Sequence, residues 1–101
     1  MVVDVDLTGK SDRKYFNIID RLRGRMIHSI QRAKERYGIE MTEYEYFTLI
    51  EQIIASEAEY IKPSRRRSTY MYKVRFKGKP MLAIYEPKNA MICTFLTWEM
   101  A

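Results

Sequence analysis

Between Phe16 and Tyr37 the apolar positions are Phe16, Ile19, Leu22, Met26, Ile30, Ala33 and Tyr37, separated by three or four residues throughout. That spacing draws one stripe along a helix. Ser11 or Asp12 is the expected cap at its start, because either side chain can accept from a free N–H of the first turn. Gly38 supplies the left-handed residue that stops a helix, so the spacing predicts an end at Tyr37. Gly24 interrupts the stripe at a cost of roughly 1 kcal/mol relative to alanine.

A second helical pattern follows. Thr42 with Glu45 three residues later forms a Thr-x-x-Glu capping box, and Tyr46, Phe47, Leu49, Ile50, Ile53 and Ile54 recur at helical spacing. The predicted helix runs from Glu43 to about Ser56. After Ser56 the period falls to two. Tyr60 and Ile61 suit a short strand, and Pro63 with Arg65, Arg66 and Arg67 reads as a loop. Tyr70, Tyr72, Val74 and Phe76 then alternate with Met71, Lys73, Arg75 and Lys77. Gly78 and Lys79 make a tight turn, Met81 to Tyr85 a strand, Glu86 to Asn89 a second turn, and Ala90 to Thr97 a last strand. Met1 to Lys10 reads as a short strand or a loose arm.

Helices first and strands afterwards define an α+β domain. Two N-terminal helices are expected to pack on a three- to four-stranded antiparallel meander spanning residues 1–101 as one unit. The 101 residues allow one core. No apolar run approaches the ~20 residues needed to cross a membrane. Met1 to Lys14 lacks the basic start, apolar middle and small-residue cleavage site of a signal peptide. The single cysteine, Cys93, permits no internal disulfide and fits a reducing compartment, so a cytoplasmic location is expected. One cysteine and one histidine cannot supply a structural zinc site, and no metal or other cofactor is expected.

Charge changes the picture. The net charge is +5, but residues 40–61 carry Glu40, Glu43, Glu45, Glu51, Glu57 and Glu59 with no lysine or arginine. Cations dominate on both sides of that acidic segment. On the first helix Lys14, Arg21, Arg25, His28, Arg32 and Arg36 fall within a sector of about 80° opposite the apolar stripe. Like charges at i and i+4 repel, so a face built this way invites a polyanion. The loop cations Arg65, Arg66 and Arg67 and the strand cations Lys73, Arg75, Lys77 and Lys79 form a second group. Tyr70, Tyr72, Tyr85 and Phe95 lie among them, the aromatic interleaving that stacked bases use, although rings in a sheet are as often packing. RNA is therefore the expected partner, with other nucleic acid or an acidic protein as alternatives.

His28 is the one imidazole and the candidate for moving a proton near neutral pH. Should the sheet pack against the apolar stripe, His28 would point away from it into solvent. Cys93 is a weak nucleophile candidate, since its only histidine is distant in sequence. Gly-rich phosphate loops, acidic two-metal clusters and a Ser-His-Asp order are missing.

The stretch from His28 to Ile39 carries His28 and Arg32 at i and i+4, then Arg36, Tyr37, Gly38 and Ile39. It resembles the first-helix signature of small ribonuclease-toxin domains, His-x-x-x-Arg before an Arg-[Tyr/His]-Gly-Ile turn. Tyr72 to Tyr85 and Met91 to Thr97 resemble the sheet of the same group, the barnase–EndoU–colicin–RelE superfamily of metal-independent ribonucleases. The resemblance covers roughly residues 20–97. It implies a toxin-like endoribonuclease, as carried by phages and mobile elements, in which the RNA 2′-OH attacks the adjacent phosphate to leave a cyclic phosphate. It implies His28 as base or acid, Arg32, Lys73 and Arg75 as stabilisers of the developing charge, Thr94 as a positioner of phosphate and Tyr85 as a further donor. Arg21, Arg25, Arg36, Arg65, Arg66, Arg67, Lys77 and Lys79 would bind RNA, and an antitoxin would be an acidic protein partner. The alternative is a non-catalytic regulator using the same basic surface to bind nucleic acid or protein.

Overall fold

The computed structural model describes the backbone of residues 10–101 and the side chains of 19–101. The predicted strand or arm at Met1–Gly9 and the side chains of Lys14 and Phe16 lie outside those residues. The first helix, α1, spans Lys10–Tyr37. Ser11 and Asp12 therefore lie inside it and not at a cap. Gly38 ends it at φ +67°, its N–H bonded to the Lys34 carbonyl at 2.9 Å. The second helix, α2, spans Glu43–Ile54 and opens on the capping box. Thr42 Oγ1 accepts from the Glu45 N–H at 3.1 Å, and Glu45 Oε1 accepts from the Thr42 N–H at 2.9 Å. This helix ends two residues before the predicted Ser56, which adopts φ +61°.

Four strands follow: β1 (Glu59–Pro63), β2 (Tyr70–Phe76), β3 (Lys79–Glu86) and β4 (Met91–Leu96). They form one antiparallel sheet in the order β1-β2-β3-β4, an α+β arrangement with helices first. Lys77 (φ +49°) and Gly78 (φ +83°) make the two-residue turn between β2 and β3. Both positive angles match a turn whose twist suits a hairpin. Pro80 sits in a central strand without penalty. β4 first pairs with β3 at Leu82, so the missing N–H of Pro80 lies beyond the end of that ladder.

The helices cover one face of the sheet. Met26 and Ala33 of α1 and Tyr46, Leu49, Ile50 and Ile53 of α2 pack with Val74, Phe76, Met81, Ala83, Ile92 and Phe95. The predicted alternation of β2 holds, with Val74 and Phe76 under the helices and Met71 on the reverse. The reverse face is less cationic than the sequence suggests. Met71, Leu82, Ile84 and Cys93 form a second buried cluster there. A central strand is shielded on both sides, so β3 reads as a continuous apolar run from Met81 to Tyr85.

α1 lies along β4, and its placement follows from a line of residues seven apart: Leu22, Ser29 and Arg36. This line separates the apolar stripe from the cationic face, and it meets the edge of the sheet. Ser29 is fully buried, and its hydroxyl donates to the Ile92 carbonyl at 2.7 Å, with the Arg25 carbonyl at 3.0 Å as alternative acceptor. The Tyr46 hydroxyl donates to the same Ile92 carbonyl at 2.7 Å and accepts from the Ile92 N–H at 3.0 Å. Arg36 donates to the Phe95 carbonyl at 2.8 Å. Helix side chains thus occupy the backbone groups of an edge strand that would otherwise invite another chain. With the boundary line on the edge, the apolar stripe falls on one sheet face and the cations overhang the other.

Candidate functional site

That overhang creates a cleft of about 880 Å³. One wall is the α1 row Arg21, Arg25, His28, Arg32 and Arg36. The opposite wall is Lys62 to Arg66, at the end of β1 and the start of the loop to β2. Met71, Ile84, Cys93, Thr94 and Leu96 form the floor on the uncovered sheet face, with Met100 at one end. Two separate segments therefore bring seven lysines or arginines and one histidine together over the floor. No carboxylate side chain lines the cleft among the described residues.

His28 is exposed, as expected of the face opposite the stripe, yet it also lines the cleft, for a geometric reason. The sheet ends beneath the boundary of the apolar stripe, so the helix face opposite that stripe looks down on the second sheet face. Thr94 reaches the same cleft through an irregularity in β4. Ile84 pairs with Thr94 but Tyr85 pairs with Ile92, leaving Cys93 as an extra residue. Such a bulge turns consecutive residues toward one face. Both Cys93 and Thr94 consequently line the cleft.

The arginine-bearing loop is held in shape. The Thr69 hydroxyl donates to the Arg66 carbonyl at 2.6 Å, and the Ser64 N–H donates to the Thr69 carbonyl at 3.0 Å. Thr69 is buried, and Ser68 takes φ +63° to close the turn. Arg65 and Arg66 project from this closed loop into the cleft, whereas Arg67 is exposed and does not line it.

Two cations on the α1 wall are already paired. Arg25 meets Glu86 at 2.5 Å, both largely withdrawn from solvent. The Asn89 amide donates to the same Glu86 oxygen at 2.8 Å. That amide, with Arg25 beside it and Arg66 nearby, holds the Glu86 carboxyl below the usual carboxylate range. Arg32 meets Glu35 at 2.6 Å in a half-exposed pair. A phosphate entering the cleft would compete with these carboxylates for the two guanidinium groups.

The other sequence candidates lie elsewhere. Lys73 shares the uncovered sheet face but pairs with Glu59 at 3.2 Å and does not line the cleft. Arg75 is exposed on the same strand, with its main chain tied to Gln52: its N–H donates to Oε1 and its carbonyl accepts from Nε2. Tyr85 is buried on the helix side, edge-on to Tyr72 at 6.0 Å between ring centres. Burial pushes its hydroxyl above the ordinary tyrosine range. Lys77 pairs with Glu45 at 3.3 Å, and Lys79 donates to the Tyr37 carbonyl at 3.2 Å. The site thus unites His28, Arg32 and Thr94 with Arg21, Arg25, Arg36, Arg65 and Arg66, and leaves Lys73, Arg75, Tyr85, Arg67, Lys77 and Lys79 outside.

Cys93 is on the floor, but burial raises its thiol above the usual range, so the reactive thiolate is disfavoured. Among the described residues no cluster of histidine, cysteine or carboxylate side chains could hold a metal ion. Lys62 and the apolar floor were missed in the sequence. The first sits at the end of a strand read only as far as Ile61, and the second needed the strand register. No helix among the described residues is long and apolar enough to cross a membrane. No family model matches the chain, and no curated protein or solved structure is significantly similar to it.

Proposed function

We propose that the cleft binds RNA and cleaves it by metal-independent transphosphorylation. The observation that carries this reading is the meeting of His28 and Thr94 in one cleft with seven cations from two segments and, among the described residues, no carboxylate side chain in the lining. A chain of phosphates is the ligand that such a surface attracts most strongly. In the proposed reaction His28 takes the proton of a ribose 2′-OH. The 2′ oxygen bonds to the adjacent phosphorus as the bond from phosphorus to the 5′ oxygen breaks. The leaving oxygen takes a proton from water, and His28 returns its own to solvent. Arg32 and its neighbours on α1 neutralise the charge that builds on the phosphate oxygens, and the Thr94 hydroxyl orients the group. The resemblance to ribonuclease-toxin motifs supports the same chemistry.

The test is cleavage of a mixed-sequence RNA in EDTA. His28→Ala is expected to lower the rate by at least about 100-fold, the usual contribution of a positioned acid or base. Arg32→Ala is expected to lower it as well, whereas Lys73→Ala and Arg75→Ala, outside the cleft, leave it largely unchanged. Equal activity in His28→Ala and wild type would end the catalytic reading.

A second reading is favoured by the position of Lys73 and Arg75. Two of the cations that the resemblance assigns to catalysis are absent from the cleft, which suits a module that holds RNA without cutting it. RNA binding without cleavage by the wild-type protein would select that reading.

A further inference from the structure

The floor of the cleft has a chemistry that phosphate binding does not use. Met71, Ile84 and Leu96 line it, and Met100 stands beside them, under a wall of guanidinium groups. Among the described residues no helix packs an apolar side chain on this cluster, and Met71 and Ile84 are each 4% exposed. A deep apolar floor next to a cationic wall fits a ligand with a flat apolar part joined to an anion. Thioether and branched aliphatic side chains make favourable contact with ring faces. The volume, about 880 Å³, lies within the range of small-molecule sites.

We infer that the floor is a nucleobase subsite, where one unstacked base lies against Met71, Ile84 and Leu96 while its phosphate meets the α1 arginines. The inference rests on the nucleic-acid reading of the cleft and makes it more specific. A base can reach this floor only from a single strand, loop or end, because paired bases are stacked and turned inward. The substrate class is therefore single-stranded RNA. The base is gripped by shape and apolar contact, so discrimination among bases is weak.

The probes are AMP and ribose 5-phosphate, which carry the same phosphate and differ by the base. AMP is expected to bind at least about tenfold more tightly by calorimetry. The binding site can be read directly with ¹³C-methyl methionine. AMP, but not ribose 5-phosphate, is expected to shift the Met71 and Met100 methyl signals, while Met26, Met81 and Met91 of the helix-side core stay in place. Leu96→Ala is expected to bring AMP affinity close to that of ribose 5-phosphate and leave the latter unchanged. Equal binding of the two compounds with no methionine shift would overturn the subsite and leave the phosphate cleft standing. Binding of neither, together with no binding or cleavage of RNA, would overturn the subsite and the nucleic-acid reading at once.

Discussion

Tyr46→Phe removes a single oxygen from the centre of the fold. The Tyr46 side chain is fully buried, and burial pushes its hydroxyl well above the ordinary tyrosine range, so it remains a neutral donor. The substitution leaves the ring contacts with the core intact. It takes from the Ile92 N–H the acceptor at 3.0 Å, and from the Ile92 carbonyl one of two donors. The carbonyl keeps Ser29 at 2.7 Å. A buried donor left without a partner costs about 1–3 kcal/mol, so the expected loss is about 2 kcal/mol. For a domain of this size that lowers the melting temperature by roughly 10 °C. Ser29→Ala alone should cost about 1 kcal/mol or less, since Tyr46 still serves the carbonyl. The double variant orphans the carbonyl as well, and should exceed the sum of the single losses by about 1 kcal/mol. Urea unfolding of the four proteins measures each term. A Tyr46→Phe loss below about 0.5 kcal/mol, or strict additivity with Ser29→Ala, would refute the claim that these two hydroxyls jointly seal the β4 edge. The seal matters for function because it fixes the α1 arginines over the sheet.

Two further outcomes follow from local geometry. Glu86→Gln removes the partner of Arg25 and should destabilise the protein by about 1 kcal/mol at neutral pH. The folded carboxyl is depressed, so its stabilisation is present above the ordinary carboxylate range and lost as pH falls through the depressed value; urea midpoints of variant and wild type should converge as pH falls below that range. Thr42→Ala breaks the capping box of α2 and should cost about 1 kcal/mol in the same assay, with no change in RNA cleavage, because α2 does not line the cleft.

The elements legible in the sequence were those governed by local rules. The Thr42–Glu45 box and the Gly38 stop each act within a few residues, and both appear as read. The position of Tyr85 was also within reach. The two-residue turn at Lys77 and Gly78 sets Phe76 opposite Lys79, and counting outward sets Tyr70 opposite Tyr85. That register places Tyr85 on the face of Tyr72 and Val74, away from the cleft. Thr94 could not be placed by counting, because the extra residue at Cys93 shifts the β4 register. Ser29 was overlooked because a hydroxyl is absent from a tally of apolar positions. Its role depends on the unpaired backbone of a strand more than sixty residues away. The location of the cleft depends on both: where α1 meets β4 decides which sheet face the cations overlook.

The central claim is that His28 abstracts a ribose 2′ proton in this cleft, and a DNA oligonucleotide carrying one ribonucleotide tests it most directly. Incubated with the protein in EDTA, it should be cut only on the 3′ side of that ribose. The product should end in a 2′,3′-cyclic phosphate, and His28→Ala should abolish the cut. Cleavage at deoxyribose positions, or the same cyclic-phosphate product from His28→Ala, would contradict the account.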